Sequence, residues 1–414
     1  MSPYSPLLRT APSLIPAAVA CIGLTFSAAA GASGFQLLEQ NASGIGNAYA
    51  GSAVVAENAS TVFFNPAGMT QLKAREFSVG VAAIRPSVKF TDKGSSSGFL
   101  RGEGGDGGGL AFVPNAYATW ALTPDVYVGV GIGAPYGLVT RYKDTWIGAA
   151  QAARFGIKTF NINPSIAFRV NERWSIGAGV SWQRMEVEYV RRAAASPLAP
   201  LARLDVHDDA WGWNVGALYT LSPDTRLGMS YRSDVKHALQ GPLNVSGVAS
   251  FSTRAEVTLP DTLILSASHQ LSPNWELLGD ISGTAWSSIA RLDVVSGSAT
   301  LQTLHTHFKD TWRVAFGANY RFDDAWKLKL GVAYDQTPVR DANRRLVSLP
   351  DNDRTWLSVG TQWKPGNGAT LDVGVAYLLV GNANINSGPT AGTVVRGTYD
   401  DSLWILGAQY SVAY

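Results

Sequence analysis

From residue 76 to the C-terminus, apolar and polar positions alternate in runs of ten to seventeen residues. In "TWRVAFGANYRF" (311 to 322), Trp312, Val314, Phe316, Ala318, Tyr320 and Phe322 share one face, and Arg313, Gly317, Asn319 and Arg321 share the other. A period of two is the signature of a strand with two unlike faces. The same split recurs in "WKLKLGVAY" (326 to 334), "WGWNVGALYTL" (211 to 221) and "WSIGAGVSW" (174 to 182), each with Trp at a strand end. Aromatic residues closing off an apolar face are what a lipid-facing band needs at its two water interfaces.

Six compact turns punctuate the pattern: "LTPDV" (122 to 126), "VNERW" (170 to 174), "LSPDT" (221 to 225), "LSPNW" (271 to 275), "RFDDAW" (321 to 326) and "KPGNGAT" (364 to 370). Pro, Asp, Asn and Gly in such clusters are tight-turn chemistry. They recur about every 45 to 50 residues, room for two strands and one long loop. The pattern predicts fourteen strands, near 76–90, 111–121, 125–140, 155–170, 174–190, 208–221, 225–239, 262–271, 275–290, 308–322, 326–338, 353–364, 370–383 and 400–414. An even count puts both ends on one side, with six short turns there and seven long loops opposite, the arrangement of an outer-membrane barrel. A β-sandwich or propeller also alternates, but it buries its apolar face and has no use for aromatic strand ends. The last strand, "DSLWILGAQYSVAY", alternates strictly to a terminal Tyr414. It suits both closure of the barrel edge and the C-terminal signal that barrel-assembly machinery reads.

Composition narrows this further. Charged residues make up 15% of the 414, the formal net charge is +2, and Gly (43), Trp (13) and Tyr (15) are abundant, so a nucleic-acid partner is excluded. Residues 1–32 read as a secretion signal: Arg9 precedes the apolar run "LIPAAVACIGLTFSAAAGA", and Ala30-Gly31-Ala32 is the small-residue exit. Cys21, the one cysteine, lies inside it without the residue spacing a lipoprotein signal needs, so the mature chain has no thiol.

Residues 33–74 precede the first strand, leaving 75–414 for the barrel. They combine small residues and close-approach glycines, Gly44, Gly46 and Gly51, with Phe35, Leu37, Leu38, Tyr49, Val54, Val55, Phe63 and Phe64. That is more apolar area than a solvated tail carries, and a fourteen-stranded barrel is too wide to be filled by its own side chains. The segment therefore reads as a plug. "STVFFNPAGMTQL" (60 to 72) would end it, with Phe63 and Phe64 packing the plug and Asn65-Pro66-Ala67-Gly68 turning the chain into the first strand.

"GFQLLEQNASGIGNAYAGSAVVAENASTVFFNPAGMTQL" resembles the N-terminal hatch of the FadL/TodX family of outer-membrane transporters for long-chain fatty acids and other hydrophobic compounds. Gly34-Phe35-Gln36-Leu37, Ser43-Gly44 with Gly46, Ala48-Tyr49 with Gly51, and Asn65-Pro66-Ala67 carry the match, with a departure at Asn47, where many relatives place a basic residue. The resemblance implies a plugged fourteen-stranded barrel that captures an apolar ligand outside, holds it in the lumen and releases it sideways at a kinked third strand. Here that strand contains Gly133-Ala134-Pro135-Tyr136-Gly137; Pro135 cannot donate to the ladder and the glycines permit a bulge. The family reading also makes Phe35 a candidate ligand contact and leaves the choice between fatty acids and aromatic hydrocarbons open.

Strand phase nominates Arg313 and Lys329, with Arg184 near the outer end of the fifth strand, as lumen cations for a ligand carboxylate. Equally, they could pair with Asp280, Asp335 or Asp372, or with the hatch. The segments 193–204 and 241–260 read as outer loops unusually rich in apolar residues, so Leu198, Leu201, Leu204, Leu243 and Phe251 are candidates for a capture groove. Catalysis has no support, since no His has a Ser or carboxylate partner by spacing. His305 and His307 read as a solvated pair and "GEGGDGGG" (102 to 109) as a flexible loop, so no metal or cofactor is expected. The expected partners are a hydrophobic ligand, membrane lipid and the assembly machinery, for a monomer. The competing readings are a lipid-modifying barrel enzyme and a porin or adhesin.

Overall fold

The computed structural model describes residues 34–414. The proposed signal segment 1–32, Cys21 included, lies outside the described residues. Fourteen antiparallel strands form a closed barrel. They are Arg75–Asp92, Ala111–Ala121, Val126–Gly133 continued by Gly137–Arg141, Arg154–Arg169, Trp174–Arg192, Leu201–Ser222, and Thr225–Arg232 continued by Val235–Val245. Then come Ala249–Leu259 continued by Thr262–Gln270, Trp275–Thr284, Thr311–Arg321, Trp326–Asp335, Arg354–Gly366, Ala369–Val380 continued by Ala383–Thr390, and Thr393–Ala413. First and last strands pair from Glu76↔Ala413 to Asp92↔Gly397, so the chain ends leave no open seam in the barrel.

Outward faces are apolar. On the fifth strand, Trp174, Ile176 and Val180 are exposed and Ser175, Ser181 and Gln183 are buried. At about 3.3 Å per residue, Trp174 and Trp182 stand roughly 26 Å apart along a tilted strand, enough to span most of a barrel's lipid-facing band. Several strands continue past this band. The sixth starts at Leu201, not near 208, and much of the expected loop 241–260 belongs to the hairpin Val235–Val245 and Ala249–Leu259. Gly241 and Pro242 imitate a break. They fall where the sixth and seventh strands skip pairing, between Leu204↔Leu243 and His207↔Gln240, so a missing N–H is tolerated. The ninth strand stops at Thr284, and Trp286 turns inward to full burial. The stretch 102–109 is pinned rather than loose: Asp106 Oδ1 accepts from the Val88 and Gly108 amides at 2.7 and 2.9 Å.

Residues 34–72 fold inside the lumen through short helical turns at Ile45–Asn47, Thr61–Phe64 and Pro66–Gln71. Ile45, Ala48, Val62, Ala67 and Met69 are fully buried. Glycines on the inner wall make the fit possible. A Cβ on Gly331 would stand 2.1 Å from the Asn47 carbonyl carbon, and one on Gly46 would stand 2.8 Å from Gly360 Cα.

Candidate functional site

Inward alternation on the extended outer strands produces an apolar cavity in the outer half of the barrel. Phe155 and Ile157, Met185, Leu204 and Val206, Leu239, Ala255 and Val257, Val294 and Phe308 line it, with Gln302 and Thr306 the polar exceptions. Phe35 closes its floor, edge-on to Trp286 at 4.9 Å between ring centroids and tilted to Tyr136 at 6.0 Å. Of the five outer-loop candidates only Leu204 lines this cavity. Leu198 sits on a loop at 93% exposure, Leu201 has the outward phase of Arg203 and Asp205, Leu243 packs at the edge of the apolar cluster, and Phe251 is 39% exposed near the hairpin tip. The expected five-residue groove does not form: Leu204, Leu243 and Phe251 stand side by side on one face of three strands, with only Leu204 reaching the cavity, while Leu198 lies on a loop and Leu201 takes the opposite phase of the pleat.

Beneath Phe35 and Tyr136 lies a second, mixed cavity bounded by Gln36, Leu37, Leu38, Phe63, Phe64, Pro135, Ser230, Arg232, Arg313 and Asp335. Arg232, unremarked in the sequence although its phase matches buried Ser230, donates to Phe63 O at 2.9 Å and lies 4.1 Å over the Phe63 ring. Among the described residues no carboxylate reaches ion-pair distance of it. Arg313 donates to Ala48 O at 2.5 Å and stands opposite Asp335 in the ladder. Lys329 is committed elsewhere: its ammonium meets Glu57 at 2.7 Å, Asp372 at 3.1 Å and Ser43 O at 3.1 Å. Burial opposes ionisation of Glu57, but Lys327 and Lys329 hold its carboxyl well below the usual range. Arg184 departs from the expected lumen phase. It shares the outward face with Trp182 and pairs with Glu186 at 3.0 Å and Asp209 at 3.3 Å.

The third strand is broken at Ala134-Pro135-Tyr136. Its ladder to the fourth strand jumps from Gly133↔Asn161 to Gly137↔Lys158, three residues opposite two. The second strand pairs with it only up to Ala116↔Ile132, which leaves Ala111–Asn115 without a ladder partner on that side. The start of the hatch covers the break from within: Leu37 N donates to Pro135 O at 2.8 Å and Gly137 N to Phe35 O at 2.9 Å. Gln40 clamps Ala134 through both its oxygen and its nitrogen, at 3.1 and 2.7 Å. A side chain at Gly133 would stand 2.4 Å from the Gln40 oxygen.

Asn65 joins the hatch to the wall. Its amide donates to Ala53 O at 2.6 Å and to Ala217 O of the sixth strand at 3.0 Å, while its oxygen caps the turn at Ala67 N, 3.1 Å. Pro66 and Ala67 lie against Gly177, where a Cβ would come within 2.5 Å of Ala67 N. Phe64 stacks on Tyr49 at 5.9 Å and meets Phe63 edge-on at 5.2 Å. At Gly44, the amide donates to Asn41 Oδ1 at 2.9 Å and a Cβ would strike the Tyr49 ring. Asn47 anchors the hatch to two strands, reaching Ala318 O, Asn319 Oδ1 and Leu330 O at 3.3, 3.0 and 3.1 Å. Glu39 is fully buried with neither oxygen hydrogen-bonded, and burial pushes its carboxyl up to about 7.

A barrel with a lipid-facing belt, a plug in its lumen, apolar and mixed cavities, and a wall opening covered by that plug is an outer-membrane transport barrel. The chain belongs to the family described as outer membrane protein transport protein (OMPP1/FadL/TodX), whose model matches residues 23–414. It is 32% identical to the long-chain fatty acid transport protein of Salmonella typhi, over 94% of this chain and 96% of that one. Outer membrane protein P1 of Haemophilus influenzae is 31% identical, over 84% of this chain and 86% of that one. A FadL homologue of Pseudomonas aeruginosa has the same fold at a TM-score of 0.87 and 22% identity, covering 92% of this chain and 99% of that one. The toluene transporter TodX of Pseudomonas putida matches at a TM-score of 0.69 and 14% identity, covering 90% of this chain and 98% of that one. The family consists of outer-membrane transport proteins, not enzymes.

Proposed function

We propose that this protein moves long-chain fatty acids across the outer membrane by passive, ligand-gated diffusion. The observation that carries the reading is the order of the cavities: an apolar chamber outside, then Phe35 and Tyr136, then Arg232 and Arg313. An acyl chain leaves water for the chamber at about 25 cal/mol per Å² of apolar surface buried. Its carboxylate finds in Arg232 a guanidinium that has no acidic partner among the described residues, the setting for a charge-assisted hydrogen bond. Phe35 contacts the chain in this scheme.

Release runs sideways at Gly133-Ala134-Pro135-Tyr136-Gly137. A greasy molecule gains nothing from an aqueous exit, and the break adjoins the stretch Ala111–Asn115 that has no ladder partner on that side. Phe35, Gln36 and Leu37 must withdraw first, while Gly44, Gly46, Phe63, Phe64, Asn65, Pro66 and Ala67 belong to the part that stays seated. The barrel works as a monomer, inserted through recognition of its closing strand.

Aromatic hydrocarbon uptake is the alternative, and it would leave both arginines idle. Binding of oleate, methyl oleate and toluene to the purified barrel separates the two. The expected result is oleate bound at least about tenfold more tightly than its ester, a difference erased by Arg232→Ala; a charged hydrogen bond is worth about 1.5 to 3 kcal/mol. Equal binding of acid and ester would overturn the carboxylate assignment, and preference for toluene would overturn the substrate class.

A further inference from the structure

The outward surface just above the aromatic belt changes character on strands three to six. Phe160, Ile162 and Trp182 give way at the next level to Lys158, Arg184 and Glu186, and above them to Arg141, Arg154 and Arg203. A groove runs across this surface, bounded by Val139, Arg141, Lys158, Glu188, Arg203 and Pro242, with its floor at Gly156, where no side chain fills the space between Val139 and Glu188. Its three carboxylates are already engaged: Glu188 is paired with Arg154 and Arg203 at 3.2 Å each, Asp205 with Arg203 at 2.8 Å, and Glu186, opposite Lys158 in the ladder, with Arg184 at 3.0 Å. Among the described residues, neither Arg141 nor Lys158 has a carboxylate at ion-pair distance.

Cations at this level face the headgroups of the outer leaflet, which in a Gram-negative outer membrane is built of phosphorylated glycolipid. We propose that this groove is a docking site for the phosphorylated sugar headgroup of that glycolipid, with Arg141 and Lys158 as its phosphate ligands. Guanidinium and ammonium groups are the side chains suited to phosphate, and basic pockets at the headgroup level are where membrane proteins hold anionic lipids. The acyl chains of the seated lipid run down past Phe160, Ile162 and Ile166 on the fourth strand. Val139 belongs to the third strand just beyond its break, so the seat adjoins the side opening.

The test is native mass spectrometry of the full mature barrel in detergent, with bisphosphorylated lipid A and with the same lipid dephosphorylated. The parent should retain the phosphorylated lipid, and Arg141→Gln combined with Lys158→Gln should weaken retention roughly tenfold or more. Arg85→Gln with Lys89→Gln, on the outward face of the first strand, should retain it as the parent does. Heat-modifiable migration on gels checks that each barrel is folded. Unchanged retention by the Arg141/Lys158 variant, or equal retention of the dephosphorylated lipid, overturns the proposal. Oleate binding by the same variant should match the parent, which separates failure of this site from failure of the transport reading.

Discussion

Gly331 is among the tightest points of contact between plug and wall, and Gly331→Ala tests it. The added methyl would stand 2.1 Å from the Asn47 carbonyl carbon where ordinary contact begins at 3.4 Å, so the two must separate by 3.4 − 2.1 = 1.3 Å. The ladder of the eleventh strand to its neighbours is backbone and is retained, so the hatch is what yields. Asn47 then loses three hydrogen bonds, now at 3.0 to 3.3 Å. At about 1 kcal/mol each this is about 3 kcal/mol, on the order of a hundredfold in the ratio of seated to unseated hatch. The assay is ion conductance of single barrels in planar bilayers, with sensitivity of cells to a bulky polar antibiotic as the cellular counterpart. Gly279→Ala serves as control, because a Cβ there meets nothing within 4 Å. Openings frequent in Gly331→Ala and absent from the control are expected. A Gly331→Ala barrel as tight as its parent would refute the idea that the glycine wall seats the hatch.

Lys329→Met should also leak, since it strands Asp372 and part of the charge of Glu57 in a buried site at a cost of about 3 to 5 kcal/mol; bilayer conductance reads it out. Arg184→Ala should leave oleate affinity unchanged, because its partners Glu186 and Asp209 lie outside the lumen; a loss comparable to that of Arg232→Ala would contradict this placement. The Glu39 carboxyl, raised from 4.5 to about 7, binds its proton more tightly in the seated hatch than in water. That stabilisation is complete below 4.5 and fades as pH rises through about 7, so leak should grow between about pH 5 and pH 8 and be flat in Glu39→Gln.

Barrel and turns were legible because lipid imposes a strict alternation and tight turns demand Pro, Asp, Asn and Gly. The outer extensions were not: Leu239, Ala255 and Val257 alternate as well as any membrane strand, but Gly241 and Pro242 resemble a loop unless the skipped pairing is known. Arg184 was misplaced although its phase was readable, two positions on from Trp182 along the outward face of the fifth strand. The pairing of Lys329 with Glu57, 272 residues away, cannot be read from local pattern at all. Nor can Gly331, whose value as a missing side chain appears only when the hatch lies against it. Asn47 shows the converse: the resemblance implied a basic residue there, and the asparagine itself meets two strands.

The broken third strand has a further consequence. Its carbonyl at Pro135 and amide at Gly137 are answered by Leu37 and Phe35, so in the proposed sideways release the start of the hatch acts as a removable length of wall. In that scheme, drawing it out unpairs these backbone groups, and reseating the hatch pairs them again, which favours closure of an empty barrel. Tightness against antibiotics and permeability to a lipid are then not competing demands on one pore: an occupant that replaces the lost contacts is the condition for opening at all.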